Sequence, residues 1–251
     1  MRLVSAAAAA AVVACTTLAA QAGETVTYTA GDMEMEGYFA PAANGTSKGA
    51  VLVIHDWDGL DSYETKRADM LAGLGYDAFA VDLFGKGVRP DTVDGRRTET
   101  GKLYADRALM RERLLAGIAE MREKGAASKT VVMGYCFGGA ASLELARSGE
   151  ASDVVGYASF HGGLATPEGQ SFSKETPALL IAHGGADTSV PMTEVATLST
   201  ELEAAGVPYE IEVYSGAPHA FTVFGSDRYR EVADKKSWSA FETFLEERLP
   251  M

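Results

Sequence analysis

Three residues of this 251-residue chain have the types and the order of a nucleophile, an acid and a base. Cys136 sits in Gly134-Tyr135-Cys136-Phe137-Gly138-Gly139, Asp187 in His183-Gly184-Gly185-Ala186-Asp187, and His219 in Pro218-His219-Ala220-Phe221. The apolar run Thr130-Val131-Val132-Met133 feeds into the cysteine, and a helix-forming run from Ala140 to Arg147 leads out of it. This is the G-x-S-x-G elbow pattern with sulfur in place of oxygen. The reactive side chain stands on a tight strand-to-helix turn, and small residues two positions to either side let the neighbouring elements approach. The helix that follows directs its positive end at the sulfur, which favours the thiolate. Taken singly, Cys136 reads as a small core residue, Asp187 as turn chemistry and His219 as a surface residue. Taken together they have the chain order nucleophile, acid, histidine, and each follows an apolar strand-like run. The chemistry implied is acyl transfer: Cys136 attacks an acyl carbon, His219 accepts its proton and later protonates the leaving group, and Asp187 orients His219.

Such a constellation needs elements that end together. Residues 25–29 and 35–39 alternate in the strand manner and predict an N-terminal antiparallel hairpin. Apolar runs at 50–54, 77–83, 130–133, 154–160 and 178–182 predict strands buried on both faces, with a last strand over 210–214. Helical spacing predicts helices from Asp61-Ser62 to about Gly73, over 102–124, out of the elbow, over 193–205 with Gly206 as its cap, and over 228–249. The Gly/Arg/Asp/Thr-rich stretch 85–101 predicts a surface loop over the strand ends. Strands alternating with helices specify an α/β fold, a mostly parallel central sheet flanked by helices, in one domain over 23–251. In such sheets ligands bind beyond the carboxyl ends of the strands, where all three residues fall.

The chain begins Met1-Arg2-Leu3, continues in an Ala/Val run and reaches Ala20-Gln21-Ala22 before Gly23. This reads as a secretory signal peptide, cleaved after Ala22, and predicts a periplasmic or secreted protein. A lipoprotein leader ending at Val12-Val13-Ala14-Cys15 is the weaker alternative. Either way Cys136 is the one cysteine of the body of the chain, so no internal disulfide is expected there. A net charge of −13 argues against nucleic acid and anionic membrane surfaces as partners. Four histidines without metal-ligand spacing, and no G-x-G-x-x-G, predict neither metal nor nucleotide cofactor. His55 and His183 end strands and are expected to be structural, while His161 is a possible pocket residue. A monomer is expected.

The elbow with cysteine, the His183–Asp187 segment and Pro218-His219-Ala220-Phe221 resemble the dienelactone hydrolase family over nearly the whole chain beyond the leader. The resemblance implies an α/β-hydrolase fold and hydrolysis of small carboxylic esters or lactones through a Cys-His-Asp triad, Cys136, His219 and Asp187. It implies an oxyanion hole from the backbone N–H groups of Trp57 and Phe137. It implies an acidic residue contacting the resting thiol, usually Glu, where this chain has Asp56. It also implies two arginines holding a substrate carboxylate, and here the corresponding positions are Lys86 and Val223. Lys86 lacks a bidentate fork, Val223 offers no charge, and Arg89 is the nearby cation left to compensate. Lys86 and Arg89 are therefore the expected substrate-binding residues, and neutral esters are expected to be preferred over anionic ones. Alternative readings are an acyltransferase of the same fold and a non-catalytic small-molecule binding protein.

Overall fold

The computed structural model describes residues 23–43 and 45–250, so the leader expected over 1–22 lies outside the described residues. Eight strands form one sheet in the order β1-β2-β4-β3-β5-β6-β7-β8. The hairpin β1 (Glu24–Ala30) and β2 (Met33–Ala40) is antiparallel, and β2 joins β4 (Asp77–Val81) antiparallel. Every other pairing is parallel: β3 (Ala50–Ile54), β5 (Thr130–Tyr135), β6 (Val154–Phe160), β7 (Ala178–Gly184) and β8 (Tyr209–Tyr214). Register levels their ends. Ile54 pairs with Gly134, Tyr135 with Phe160, Phe160 with Ala182 and Gly184 with Tyr214. The loops that carry the candidate residues therefore leave the sheet along one edge.

Alternate residues of the buried strands serve two cores. Leu52, Ile54, Val132 and Ile181 face Leu114 of α3 (Arg107–Glu123), Leu143 of α4 (Phe137–Ser148) and Leu198 of α5 (Met192–Ala205). Val51, Val53, Met133 and Leu180 face Leu71 of α1 (Ser62–Gly73) and Phe241 of α6 (Glu231–Arg248). A sheet covered on both faces explains why these strands read as unbroken apolar runs. At the start of α1 the Asp61 carboxylate accepts from the Tyr63 N–H at 2.6 Å, and the Asp61 N–H donates to Glu64 at 3.1 Å. That reciprocal cap fixes where the helix begins, directly behind the β3 loop.

Residues 93–101 depart from expectation. Instead of a loop they belong to a helix, α2 (Val93–Ala105), capped by Thr92, and the helix expected over 102–124 is broken at Asp106. Asp106 has non-helical φ −122° and ψ 84°, ends α2, and accepts from the Leu109 N–H at 2.9 Å to start α3. A short acceptor that can cap its own downstream turn competes with helix continuation. The final helix likewise begins at Glu231 rather than 228, leaving Arg228 in the preceding loop.

Candidate active site

Cys136 occupies the turn between β5 and α4 with φ 51° and ψ −110°, a strained backbone for a residue with a side chain. The flanking glycines make the turn possible. A Cβ on Gly134 would stand 2.1 Å from the Gly138 carbonyl oxygen, and one on Gly138 would stand 2.5 Å from the carbonyl oxygens of Ile54 and His55. Among the described residues, Cys136, His161 (φ 42°) and Ala220 (φ 61°) are the non-glycine positions with positive φ. All three border the site: Ala220 follows His219, and the His161 ring packs edge-on to that of His219, centroids 5.3 Å apart. Strain gathered at one place marks a site whose geometry the surrounding fold imposes.

The Cys136 Sγ lies 3.0 Å from His219 Nε2, and His219 Nδ1 lies 2.8 Å from Asp187 Oδ2. Asp187 Oδ1 accepts from the Ser189 and Val190 N–H groups at 2.8 and 2.9 Å. Burial alone would raise the Asp187 pKa, but the His219 hydrogen bond and the two N–H groups outweigh it and hold the carboxyl below its ordinary range. The thiol goes the other way. Burial, with the Asp56 charge second, pushes Cys136 up to about 12, against the opposing contact from the Phe137 N–H. At neutral pH the sulfur is therefore a thiol. The helix N-terminus does not win here, contrary to the thiolate expected from sequence, because desolvation opposes it.

Sulfur and imidazole open onto a cavity of about 390 Å³ lined also by Asp56, Trp57, Tyr104 and Phe137. Trp57 and Phe137 line the cavity beside the sulfur, and the Arg96 guanidinium lies 5.3 Å from the Trp57 ring centre. Asp56 shares the cavity with Cys136, but among the described residues no hydrogen bond joins them. Its Oδ1 accepts from the Asp58 N–H at 3.2 Å, and the sulfur is engaged by His219 instead. Burial first, then Asp58, raises the Asp56 pKa to about 8. Its backbone N–H reaches Glu64 at 3.4 Å, a fully buried carboxyl also held well above its usual range by burial, with Asp56 second.

Lys86 and Arg89 do not reach the cavity. Lys86 pairs with Glu34 on the surface, while Arg89 is turned onto the Leu60 and Val88 carbonyl oxygens, with Asp82 at 3.7 Å. The cavity instead carries Arg97 from α2 and Arg228 from the loop before α6. Among the described residues these two are the arginines whose side chains have neither a hydrogen bond nor an ion pair. The others are engaged with carboxylates, an amide or backbone carbonyls, as Arg107 and Arg111 are with Glu144. The sequence carried one missed signal for Arg97, the three-residue spacing of Thr100 and Leu103, which are buried where α2 packs on the core. Arg228 has no periodic signal.

The other histidines separate cleanly. His55 Nδ1 lies 2.6 Å from the Asp56 carbonyl oxygen and its Nε2 accepts from the Leu83 N–H at 3.1 Å, so the ring is neutral and structural. His183 Nε2 lies 3.0 Å from the Val190 carbonyl oxygen. His161 is fully buried beneath His219 and does not line the cavity. A larger groove of about 510 Å³ lies between the end of β8 and the start of α6, but its lining holds no nucleophile paired with a base. Among the described residues no cluster of three potential ligands for a metal ion occurs, and no helix is long and apolar enough to cross a membrane.

Comparison with known proteins agrees with this architecture. The dienelactone hydrolase family model matches residues 35–249. A Salmonella typhimurium protein named "Putative carboxymethylenebutenolidase" is 28% identical over 235 residues, covering 88% of this chain and 85% of that protein. A Bradyrhizobium protein named "Probable 2-oxo-3-(5-oxofuran-2-ylidene)propanoate lactonase" is 24% identical over 199 residues, covering 76% and 80%. Among solved structures, a dienelactone hydrolase-like promiscuous phosphotriesterase from metagenomic libraries superposes with a TM-score of 0.81 at 28% identity, covering 90% of this chain and 98% of that one. The chain belongs to the dienelactone hydrolase family and is an α/β hydrolase acting on ester bonds.

Proposed function

We propose that this protein cleaves small esters or lactones through a thioester on Cys136, and that its substrate carries an anionic group. The observation that carries the reading is the continuous hydrogen-bonded path from Cys136 through His219 to Asp187, opening onto a cavity. Because burial keeps the sulfur protonated, proton and nucleophile move together. His219 Nε2 takes the thiol proton as sulfur attacks the carbonyl carbon. The Phe137 and Trp57 N–H groups receive the oxyanion, and the proton on Nε2 passes to the departing alkoxide, which in a lactone remains tethered. His219 then deprotonates a water that attacks the thioester and returns Cys136 to the thiol. Asp187 stays ionised throughout, holding Nδ1–H and stabilising the imidazolium.

Arg97 and Arg228 supply the case for an anionic group. Two unpartnered guanidinium groups facing one cavity form a local positive site in a chain of net charge −13. Planar forks suit carboxylates, which the expected residue Lys86, paired with Glu34, cannot match. This reverses the preference for neutral esters expected from Lys86 and Val223. The first test is p-nitrophenyl acetate hydrolysis, which Cys136→Ala should lower at least about a thousandfold. Equal background rates from both proteins would leave a non-catalytic binding protein standing. The second compares a neutral and a carboxylate-bearing lactone of equal ring size. Arg97→Gln with Arg228→Gln should cost the anionic lactone about tenfold or more in kcat/KM and the neutral one little. An anionic lactone unaffected by the double substitution would remove the substrate claim. Export by cleavage after Ala22 is part of the proposal, and the mass of the mature protein should place Gly23 at its N-terminus.

A further inference from the structure

Behind His219, on the side away from the cavity, lies a buried polar chain that none of the steps above uses. Arg67 of α1 is 1% exposed and forms an ion pair with Asp234 of α6. Its guanidinium lies 4.2 Å from the Phe224 ring centre and 5.0 Å from that of Trp238. Nη2 of Arg67 donates to the Thr222 carbonyl oxygen at 3.0 Å, and Nε donates to the Tyr63 hydroxyl at 3.3 Å. The Tyr63 hydroxyl lies 2.6 Å from Thr222 Oγ1, which lies 2.8 Å from His161 Nε2. The His161 ring then meets the His219 ring at 65°. Thr222 and His161 are fully buried, and burial, with His219 second, holds the His161 pKa well below its ordinary value, so its ring is neutral.

A network of this kind is a poor source of stability. Well-packed apolar residues commonly do as well as a buried ion pair, so stability alone does not account for it, and its contacts point to placement. What it places is the loop of His219. Thr222 lies three residues after the histidine and is gripped at both its backbone oxygen and its hydroxyl. The strained positions His161 and Ala220 lie on either side of the same contact. A neutral ring behind His219 also leaves the imidazolium free of a like charge when it forms.

We propose that Thr222 and His161 are positioning residues for His219. Arg67 and Tyr63 fix Thr222, Thr222 fixes the His161 ring, and that ring backs His219 so that Nε2 stays on sulfur while Nδ1 stays on Asp187. The inference rests on the triad reading above. Its test is Thr222→Val, which keeps the shape and the backbone carbonyl but deletes the hydroxyl, with Thr222→Ser as the restoring variant. Thr222→Val should lower kcat on p-nitrophenyl acetate about tenfold with KM within about twofold, and Thr222→Ser should return kcat to near wild type. A change confined to KM, no change in kcat, or a serine variant as slow as the valine one would overturn the proposal. Should Thr222→Val fail to fold, Tyr63→Phe deletes the neighbouring hydroxyl of the same chain and should lower kcat in the same sense. Cys136→Ala is run alongside. If it is inactive while Thr222→Val is normal, the triad stands and the positioning role falls. If it is active, the triad reading itself falls.

Discussion

Asp56 and Asp187 are the same residue type, each follows a parallel strand, each is 7% exposed, and they flank the same thiol. Their carboxyls nevertheless sit at opposite ends of the scale. Asp187 is held below the ordinary range, and Asp56 is raised to about 8. Burial pushes both upward, Asp56 from the deeper position, and only at Asp187 do hydrogen-bond donors outweigh it. Asp187 is met by donors, His219 Nδ1 and two backbone N–H groups. The Asp56 carboxyl accepts one backbone N–H, from Asp58, and otherwise meets acids, Asp58 beside it and Asp61 beyond. The donors come from the turn after β7 and from the histidine loop, whereas the acids come from the β3 loop and the capping residue of α1. A carboxylate's role is thus set by which groups its loop delivers to it, and at this site one carboxyl is built to stay charged and one to stay neutral until about pH 8.

The largest test of this contrast is activity. Asp187→Asn should lower kcat/KM about a hundredfold or more, because the asparagine loses both the charge and the tautomer preference it imposes on His219. Asp56→Asn should change it less than about tenfold, since no bond joins Asp56 to the reacting sulfur. Equal losses in the two variants would erase the distinction. A smaller effect concerns thiol reactivity. The Asp56 charge helps raise the Cys136 pKa, so Asp56→Asn should speed alkylation by iodoacetamide several-fold. The gain should appear above about pH 8, where wild-type Asp56 is ionised, and fade below it. A gain that is constant with pH would mean that the charge of Asp56 is not its cause.

The smallest effects are on stability, and their pH windows run in opposite directions. A depressed folded pKa stabilises above the unfolded carboxyl value, and that stability is lost as pH falls through the folded value. Asp187→Asn should therefore differ from wild type least in acid, below about pH 4. A raised folded pKa stabilises fully below the unfolded value, and that stability is lost as pH rises to the folded one. Asp56→Asn should accordingly gain on wild type between about pH 4 and about 8. Urea unfolding across pH 3 to 9 reads both, and parallel curves for the two variants would contradict the assignment.

What the sequence made legible was what periodicity and chain order encode. Buried parallel strands leave unbroken apolar runs, so β3, β5, β6 and β7 were readable, and the loops after β5, β7 and β8 located Cys136, Asp187 and His219. Helix α2 was not readable, because it buries chiefly Thr100 and Leu103, and its glycines and arginines look like loop. The cations at the cavity were missed for the same reason. Position along the chain points to Lys86 and Arg89, whereas Arg97 and Arg228 come to one cavity only once α2 and the loop before α6 fold over the strand ends. A helix N-terminus read from sequence points to thiolate, because desolvation and the Asp56 charge exist only in three dimensions.

The proposed mechanism requires a covalent intermediate at one sulfur. Wild-type protein is mixed with p-nitrophenyl acetate, quenched in acid within the first turnovers, digested and analysed by mass spectrometry. An acetyl group is expected on the peptide carrying Cys136, removable by hydroxylamine as a thioester is, and absent from Cys136→Ala. Turnover that proceeds with Cys136 unmodified, or with the acetyl group on another side chain, would contradict it.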